Sequence, residues 1–300
     1  MMTRHMLVVA HTARQDALAA AVAVCEQLRA AGATPVVAPV QEEDFRKAGA
    51  GDCAVLGTGV SLDDLELTIV LGGDGTILGA VELTRGCSAP ILGINHGHVG
   101  FLAESERDDL AWTVSQALAG EYDVDERLVL DVSVSDASGE IYTTFAVNEA
   151  AIEKASRARM IEVALEVDGR PISAFGADGV VMATPTGSTA YSFSAGGPVV
   201  WPEVDALLMV PLSAHALFAR PLVVGPHSVL AVELLDRSGA TAVLWCDGRR
   251  GIDIEPGSRV VARRSEHPLR LARLHPGPFT DRLVKKFGLP VTGWRGPGKG

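Results

Sequence analysis

Residues Leu67-Thr68-Ile69-Val70-Leu71-Gly72-Gly73-Asp74-Gly75-Thr76-Ile77-Leu78 decide how this chain is read. The first five form a short apolar run, the pattern of a parallel strand buried on both faces. From Ile77 to Leu83 the pattern suits a helix. An acidic side chain flanked by glycines therefore sits where a strand turns into a helix. Open α/β sheets bind their ligands at such corners, beyond the carboxyl ends of strands. Glycines let the backbone approach a phosphate there, and a helix N-terminus favours negative charge. A carboxylate is out of keeping with an anion site. Asp74 is thus either a turn or helix-cap residue or a group with a chemical task.

Working outward, the alternation continues on both sides. Met6 to Ala10 is a short apolar strand with His11 at its end. Leu18, Val22, Cys25 and Leu28 recur at helical spacing, and Gly32 is placed just past the helix end. Val36 to Ala38 and Cys53 to Leu56 read as further strands, as does Pro90 to Ile94 before the glycine-containing loop Asn95-His96-Gly97-His98-Val99-Gly100-Phe101-Leu102. A helix is expected over 108–118, ending at Gly120. Strands alternating with helices indicate an open parallel α/β layer of Rossmann-like type.

Beyond residue 125 the period changes to two. Leu128, Leu130, Val132 and Val134 alternate with Val129, Asp131, Ser133 and Ser135; Ile161, Val163, Leu165 and Val167 alternate with Glu162, Ala164, Glu166 and Asp168. Leu230, Val232 and Leu234 do the same less cleanly. Such runs between Gly- and Pro-containing turns predict an antiparallel, β-sandwich-like region. Phe279, Leu283 and Phe287 then return to helical spacing, with Lys285 and Lys286 outside. The expectation is an α/β plus β protein. Residues 1–124 with 276–300 form the α/β domain carrying Asp74, and 125–275 form a strand-rich domain. The Gly/Pro/Lys-rich end, 293–300, is expected to be disordered.

The composition narrows the function classes. A chain of 300 residues with 47% hydrophobic and 21% charged residues has ample material for globular cores. Its formal net charge of −11 argues against a general nucleic-acid or membrane-surface binder. No apolar run reaches the roughly 20 residues that span a bilayer. Residues 1–11 lack the pattern of a secretory signal. Cys25, Cys53, Cys87 and Cys246 form no CxxC pair and are read as buried free thiols, consistent with a reducing cytoplasm.

Three stretches besides Asp74 could carry chemistry. Asn148-Glu149 closes the run from Tyr142 to Val147; an amide beside an acid suits ribose hydroxyls and a base edge, or is a solvated strand end. The segment Asp178 to Pro198 runs from a strand into a loop rich in hydroxyls, then Tyr191, then Gly196-Gly197. Helix-start amides with Ser188, Thr189 and Ser194 could hold a polar ligand, with Tyr191 facing an adenine ring; the alternative is a structural turn. His96 and His98 could ligate a metal, but no third ligand stands at a recognisable spacing, so exposed loop histidines are the better reading. Neither GxGxxG nor GxxxxGK[ST] is present.

Taken together, GGDGT at 72–76, INHGHVGFL at 94–102, FAVNE at 145–149, DGVVMATPTGSTAYSFSAGGP at 178–198, PLSAHALFARPL at 211–222 and WCDGR at 245–249 resemble the NAD kinase family. GGDGT alone also resembles 6-phosphofructokinases and diacylglycerol-type lipid kinases; the long TPTGSTAY run is far more specific. The resemblance implies phosphorylation of the 2′-hydroxyl of the adenosine ribose of NAD+ to give NADP+, with ATP and in some relatives inorganic polyphosphate as donor. It implies Asp74 as general base and Gly72, Gly73 and Thr76 as the phosphate-donor loop. It further implies Gly75, Asn148, Glu149, Arg159, Asp178, Thr189, Ala190, Tyr191 and Ser194 as the NAD site. A divalent ion, Mg2+ or Mn2+, and a homo-oligomer (dimer or tetramer) follow from the family, with Asp178 serving a site shared between subunits. No nucleic acid or membrane partner is implied. Gly79 departs from the family, where Arg or His often stands. Two other classes share part of this pattern: a lipid kinase with the same acidic turn, and a non-catalytic dinucleotide-binding protein.

Overall fold

The computed structural model describes residues 4–95, 100–103, 105–106, 110–274 and 277–291. The chain divides into two compact units, one drawn from the residues up to Glu126 and from Arg270 onward, the other spanning Arg127–Leu269. The first is mixed α/β and the second is almost entirely antiparallel strand.

In the first unit the Leu65–Leu71 strand lies between His5–Ala10 and Ile91–Asn95, parallel to both. Thr34–Val37, Ala54–Leu56 and Gly59–Val60 extend the sheet on one side. Leu269–Arg273 and Asp123–Arg127 extend it on the other. The central strand is buried along nearly its whole length, as its apolar run requires. Its neighbours in register at the carboxyl end are Ala10 and Ile94, so the loops after all three strands leave the sheet at one edge. The Gln15–Ala30 helix buries Ala17, Ala21, Val24, Cys25 and Leu28, and Gly32 follows its end at φ +76°, the left-handed position that favours glycine.

Two helices differ from the sequence expectation. The Asp74–Leu83 helix starts at the acid itself rather than three residues later. A short Glu42–Lys47 helix, with only Phe45 buried, was not anticipated, because its six residues carry no apolar periodicity. The Leu110–Ala119 helix runs one residue past the expected 108–118 span; residues 108–109 and the tail 293–300 lie outside the described ones.

The second unit consists of two antiparallel sheets. One runs Gly139–Ala146, Leu130–Asp136, Arg259–Arg264, Leu230–Leu234, Ile161–Val167, Arg170–Ala177; the other runs Leu222–Val224, Leu207–Leu212, Gly179–Ala183, Glu149–Lys154, Ala242–Cys246, Arg250–Ile254. The alternating residues Leu130, Val132, Val134, Ile161, Val163 and Leu165 are all buried. They share one core with Ile152, Val180, Met182, Met209 and Leu244 of the other sheet. This is the sandwich that period two predicts. All four cysteines are free thiols, Cys25 and Cys246 buried, Cys53 and Cys87 half-buried.

Candidate active site

In the first unit Gly72 closes the central strand and donates its amide to the Ile94 carbonyl at 2.9 Å. Gly73 is the N-cap residue just before the helix, and its carbonyl accepts from Thr76 and Ile77. Gly75 is exposed in the first turn, with Thr76 half-buried beside it, and Gly79 sits half-buried further along the same helix. Asp74 does not cap its own helix. Its carboxylate accepts the Phe101 amide at 3.0 Å and the Leu102 amide at 3.1 Å, one on each oxygen. Gly100 sits so close beneath that carboxylate that any Cβ there would overlap it. Each carboxylate oxygen keeps a further lone pair for a substrate hydroxyl. The cap reading of Asp74 is thereby replaced by that of an acid oriented from outside. His96 and His98 lie outside the described residues.

In the second unit the chain changes sheets at Val147-Asn148, between the strands Gly139–Ala146 and Glu149–Lys154. Backbone groups at such a corner have no ladder partner and must find one elsewhere. Asp247 supplies it: its carboxylate accepts the Val147 amide at 3.0 Å and the Asn148 amide at 2.7 Å. Thr184 answers the carbonyls, donating its hydroxyl to Val147 at 2.6 Å and its amide to Asn148 at 2.9 Å. Gly187 lies directly against the Asn148 carbonyl, where a Cβ would have no room. The TPTG loop and the Asn-Glu corner are thus one packed assembly. Ser188 belongs to its framework: its hydroxyl exchanges hydrogen bonds with Val200 at 2.9 and 3.1 Å, so it is not a ligand group.

Glu149 is 6% exposed, and its Oε2 has no hydrogen-bond partner among the described residues. Burial and the neighbouring Asp247 push its carboxyl up to about 8, partly offset by the Tyr191 amide. Burial also raises Asp247, against the amides and Arg250 that favour its charged form. Arg250 pairs with Asp247 at 2.7 Å and lies 3.9 Å above the Phe145 ring. A buried acceptor without a partner is costly in the free protein and is what a ligand's hydroxyl or amino donor would satisfy.

The raised Glu149 gives a pH prediction. A carboxyl that stays neutral in the fold but ionises near 4.5 when unfolded contributes stability that is complete below 4.5. That stability is lost as pH rises toward 8. Glu149→Gln should therefore be more stable than the parent at pH 8, by on the order of 2–4 kcal/mol, and melt higher, with the two converging toward pH 4.5. Thermal melts at the two pH values check this.

Beside this corner a cleft of about 470 Å³ is lined by Tyr191, Ser194, Asp178, Lys154, Glu153 and Trp245, among others. The Tyr191 phenol donates to Glu153 and is pushed up to about 12 by burial and that carboxylate, which fixes the ring at the cleft wall. Asp178 pairs with Lys154, which holds its carboxyl below the usual range. Thr189 and Ala190 form the turn that leads into Tyr191, with the Thr189 hydroxyl bonded to the Thr186 carbonyl at 3.2 Å. Arg159 is exposed in the segment 155–160 and is not among the residues lining the cleft. Sequence reasoning did not assign Asp247, Arg250 or Glu153; the WCDGR run at 245–249 touched Asp247 and stopped one residue short of Arg250.

The α/β unit thus presents an acid oriented at a strand-to-helix corner, and the β-sandwich unit a buried carboxylate and an aromatic cleft, each suited to a ligand that carries hydroxyl or amino donors. Residues 6–122 match the ATP-NAD kinase N-terminal domain and residues 147–274 the ATP-NAD kinase C-terminal domain. The chain is 63% identical over 296 residues to the NAD kinase of Leifsonia xyli, covering 98% of this chain and 97% of that one. It is 53% identical to NAD kinase 2 of Streptomyces coelicolor over 293 residues, with the same coverage. Among solved structures, a yeast NADH kinase complexed with NADH shares the fold at TM-score 0.85 and 23% identity, covering 98% of this chain and 90% of that one. An Archaeoglobus fulgidus NAD kinase in complex with ATP superposes at TM-score 0.70 and 25% identity, covering 95% and 98%. The chain belongs to the NAD kinase family and is a phosphotransferase acting on NAD.

Proposed function

We propose that the chain transfers the γ-phosphoryl group of ATP to the 2′-hydroxyl of the adenosine ribose of NAD+, with Asp74 receiving the hydroxyl proton. The observation that carries this reading is the Asp74 carboxylate, held by two backbone amides with lone pairs left for an acceptor hydroxyl. Phosphoryl transfer demands positioning and charge neutralisation more than a strong base, because its transition state is loose. A carboxylate is far too weak to remove a ribose proton beforehand. Asp74 therefore orients the hydroxyl and takes its proton late, as the oxygen–phosphorus bond forms. Gly72, Gly73 and Thr76 serve the close approach of the donor phosphates, and Gly75 borders the dinucleotide pocket.

In this reading Glu149 and Asn148 hold the dinucleotide by its hydroxyl and base-edge donors, and the unpartnered Glu149 Oε2 supports it. Tyr191, with Thr189, Ala190, Ser194 and Asp178 around it, faces the adenine. Arg159, exposed and not among the residues lining the cleft, is assigned to the NAD site on the family resemblance alone. A lipid kinase would have no use for the acidic corner and aromatic cleft of the second unit.

Among the described residues no three His, Cys, Asp or Glu side chains lie close enough to form a metal cage. The reaction class calls for a divalent ion, Mg2+ or Mn2+, held mainly by substrate phosphates, the usual arrangement in phosphoryl transfer. The ion supplies charge neutralisation on the transferring group. NADP+ formation should fall to background on chelation and return with added Mg2+ or Mn2+; parallel reactions with ATP and with inorganic polyphosphate identify the donor.

A cytoplasmic homo-oligomer is also proposed. Leu217 is fully exposed, and Phe218 beside it is 56% exposed. Adjacent large apolar side chains of this kind mark association surfaces. Light scattering should give a mass at least twice the 31.4 kDa of one chain; a monomer at micromolar concentration would remove this proposal. No helix among the described residues is long and apolar enough to cross a membrane.

A further inference from the structure

We propose that Arg282, on the Phe279–Phe287 helix, is a positioning residue that holds Asp74 through a single peptide unit. This rests on the reading of Asp74 as the group that receives the acceptor proton. The Leu102 amide that binds Asp74 Oδ1 at 3.1 Å belongs to the same peptide unit as the Phe101 carbonyl. That carbonyl accepts from Arg282 Nη1 at 3.1 Å. A planar trans peptide points its carbonyl and its amide in opposite directions. An arginine on one end therefore fixes the direction of the amide on the other and strengthens its dipole toward the carboxylate.

The neighbouring groups leave this peptide little freedom to rotate. Arg282 Nη1 also donates to the Ala103 carbonyl at 3.0 Å, and Arg273 Nη1 to the Leu102 carbonyl at 3.1 Å. Three successive carbonyls are thus bound by arginines while the amides of Phe101 and Leu102 face Asp74. The Phe101 ring packs against Phe279 at 5.5 Å and Phe287 at 6.2 Å between centroids. Those rings seat the helix that carries Arg282. The C-terminal helix thereby sets the orientation of a carboxylate about 200 residues earlier in the chain. The planar guanidinium fixes the direction in which Nη1 meets the Phe101 and Ala103 carbonyls; an ammonium has donors enough for both but sits on a flexible stem and directs them less firmly.

The test is steady-state kinetics of Arg282→Ala and Arg282→Lys, alone and combined with Asp74→Asn, with amide exchange at Leu102 followed by NMR. Arg282→Ala should lower kcat at least tenfold while KM for NAD+ and for ATP changes less than threefold, and Arg282→Lys should recover part of the loss. In the Asp74→Asn background the alanine substitution should cost less than threefold, since groups that act as a unit are not additive. Leu102 amide exchange should accelerate at least tenfold in Arg282→Ala and less in Arg282→Lys. A kcat within twofold of the parent, the same fold-loss in both backgrounds, or unchanged Leu102 exchange would overturn the proposal. If alanine prevents folding, the lysine variant carries the same comparisons. Near-normal kcat for Asp74→Asn alone would instead remove the role of Asp74, while exchange at Leu102 would still decide whether Arg282 fixes that peptide.

Discussion

Asp74→Asn should lower kcat for NADP+ formation by about 10²–10⁴-fold, the range expected when a positioned general base is lost. NAD+ affinity should change little, because the dinucleotide contacts proposed here belong to the Asn148-Glu149 corner and the Tyr191 cleft. The substitution is close to isosteric but not silent for the fold. Both Asp74 oxygens accept backbone amides, at 3.0 and 3.1 Å. An asparagine presents only one oxygen and turns an N–H donor toward the second amide. That loss costs about 1–3 kcal/mol of local stability, far less than is needed to unfold the unit. The two readouts therefore separate: a large fall in turnover with a small fall in melting temperature. A variant retaining near-normal kcat would show that the acid is there only to orient the Gly100–Leu102 segment.

The second large effect concerns stability. Asp247→Ala removes the acceptor for the Val147 and Asn148 amides and leaves the Arg250 guanidinium without its 2.7 Å carboxylate partner. The Asp247 side chain is 1% exposed and that of Arg250 20%, so water is a poor substitute. Breaking a buried pair on one side typically costs 3–5 kcal/mol. Asp247 also sits at φ 55°, a conformation that alanine adopts at a further penalty of about 1 kcal/mol or more. At roughly 2–4 °C per kcal/mol, the melting temperature of the strand-rich unit should fall by on the order of 10 °C. Asp247→Asn tolerates the left-handed backbone and keeps one acceptor, so its loss should be about half as large. Scanning calorimetry of the two variants beside the parent measures this. Equal, small shifts would mean that the sheet-switching corner is held by Thr184 and Gly187 alone.

What could be read from the chain follows the range of the interactions involved. The buried strand before Asp74 was legible because its apolar run is local, and the sandwich because period two places Ile161, Val163 and Leu165 on one face. The C-terminal helix was legible from Phe279, Leu283 and Phe287 at a spacing of four. The partners of Asp74 were not. They lie 27 and 28 residues away, and no local pattern distinguishes an acid that caps its own helix from one that binds a distant loop. The same holds for Asp247, which answers amides 99 and 100 residues earlier, and for Arg282, whose carbonyl partners are 179 and 181 residues away. Ser188 misled for the opposite reason. A hydroxyl in a polar loop looks like a ligand group until its partner, the Val200 backbone, is in view.

Glu149 shows how the cost of a site is distributed. Burial raises its carboxyl to about 8 and leaves Oε2 without a partner, which weakens the free protein as pH rises. Such a group gains its hydrogen bond when a ligand donor arrives. The stabilising glutamine at this position should therefore melt higher and bind NAD+ more weakly.

The most direct test of the central claim uses an NAD+ analogue that lacks the adenosine 2′-hydroxyl, assayed with ATP beside NAD+ itself. The account predicts that the analogue binds in competition with NAD+, within about tenfold of its affinity, and accepts no phosphate, while NAD+ is converted to the 2′-phosphorylated product. Phosphoryl transfer to the 2′-deoxy analogue would contradict it, because the oxygen assigned to Asp74 would then not be the acceptor.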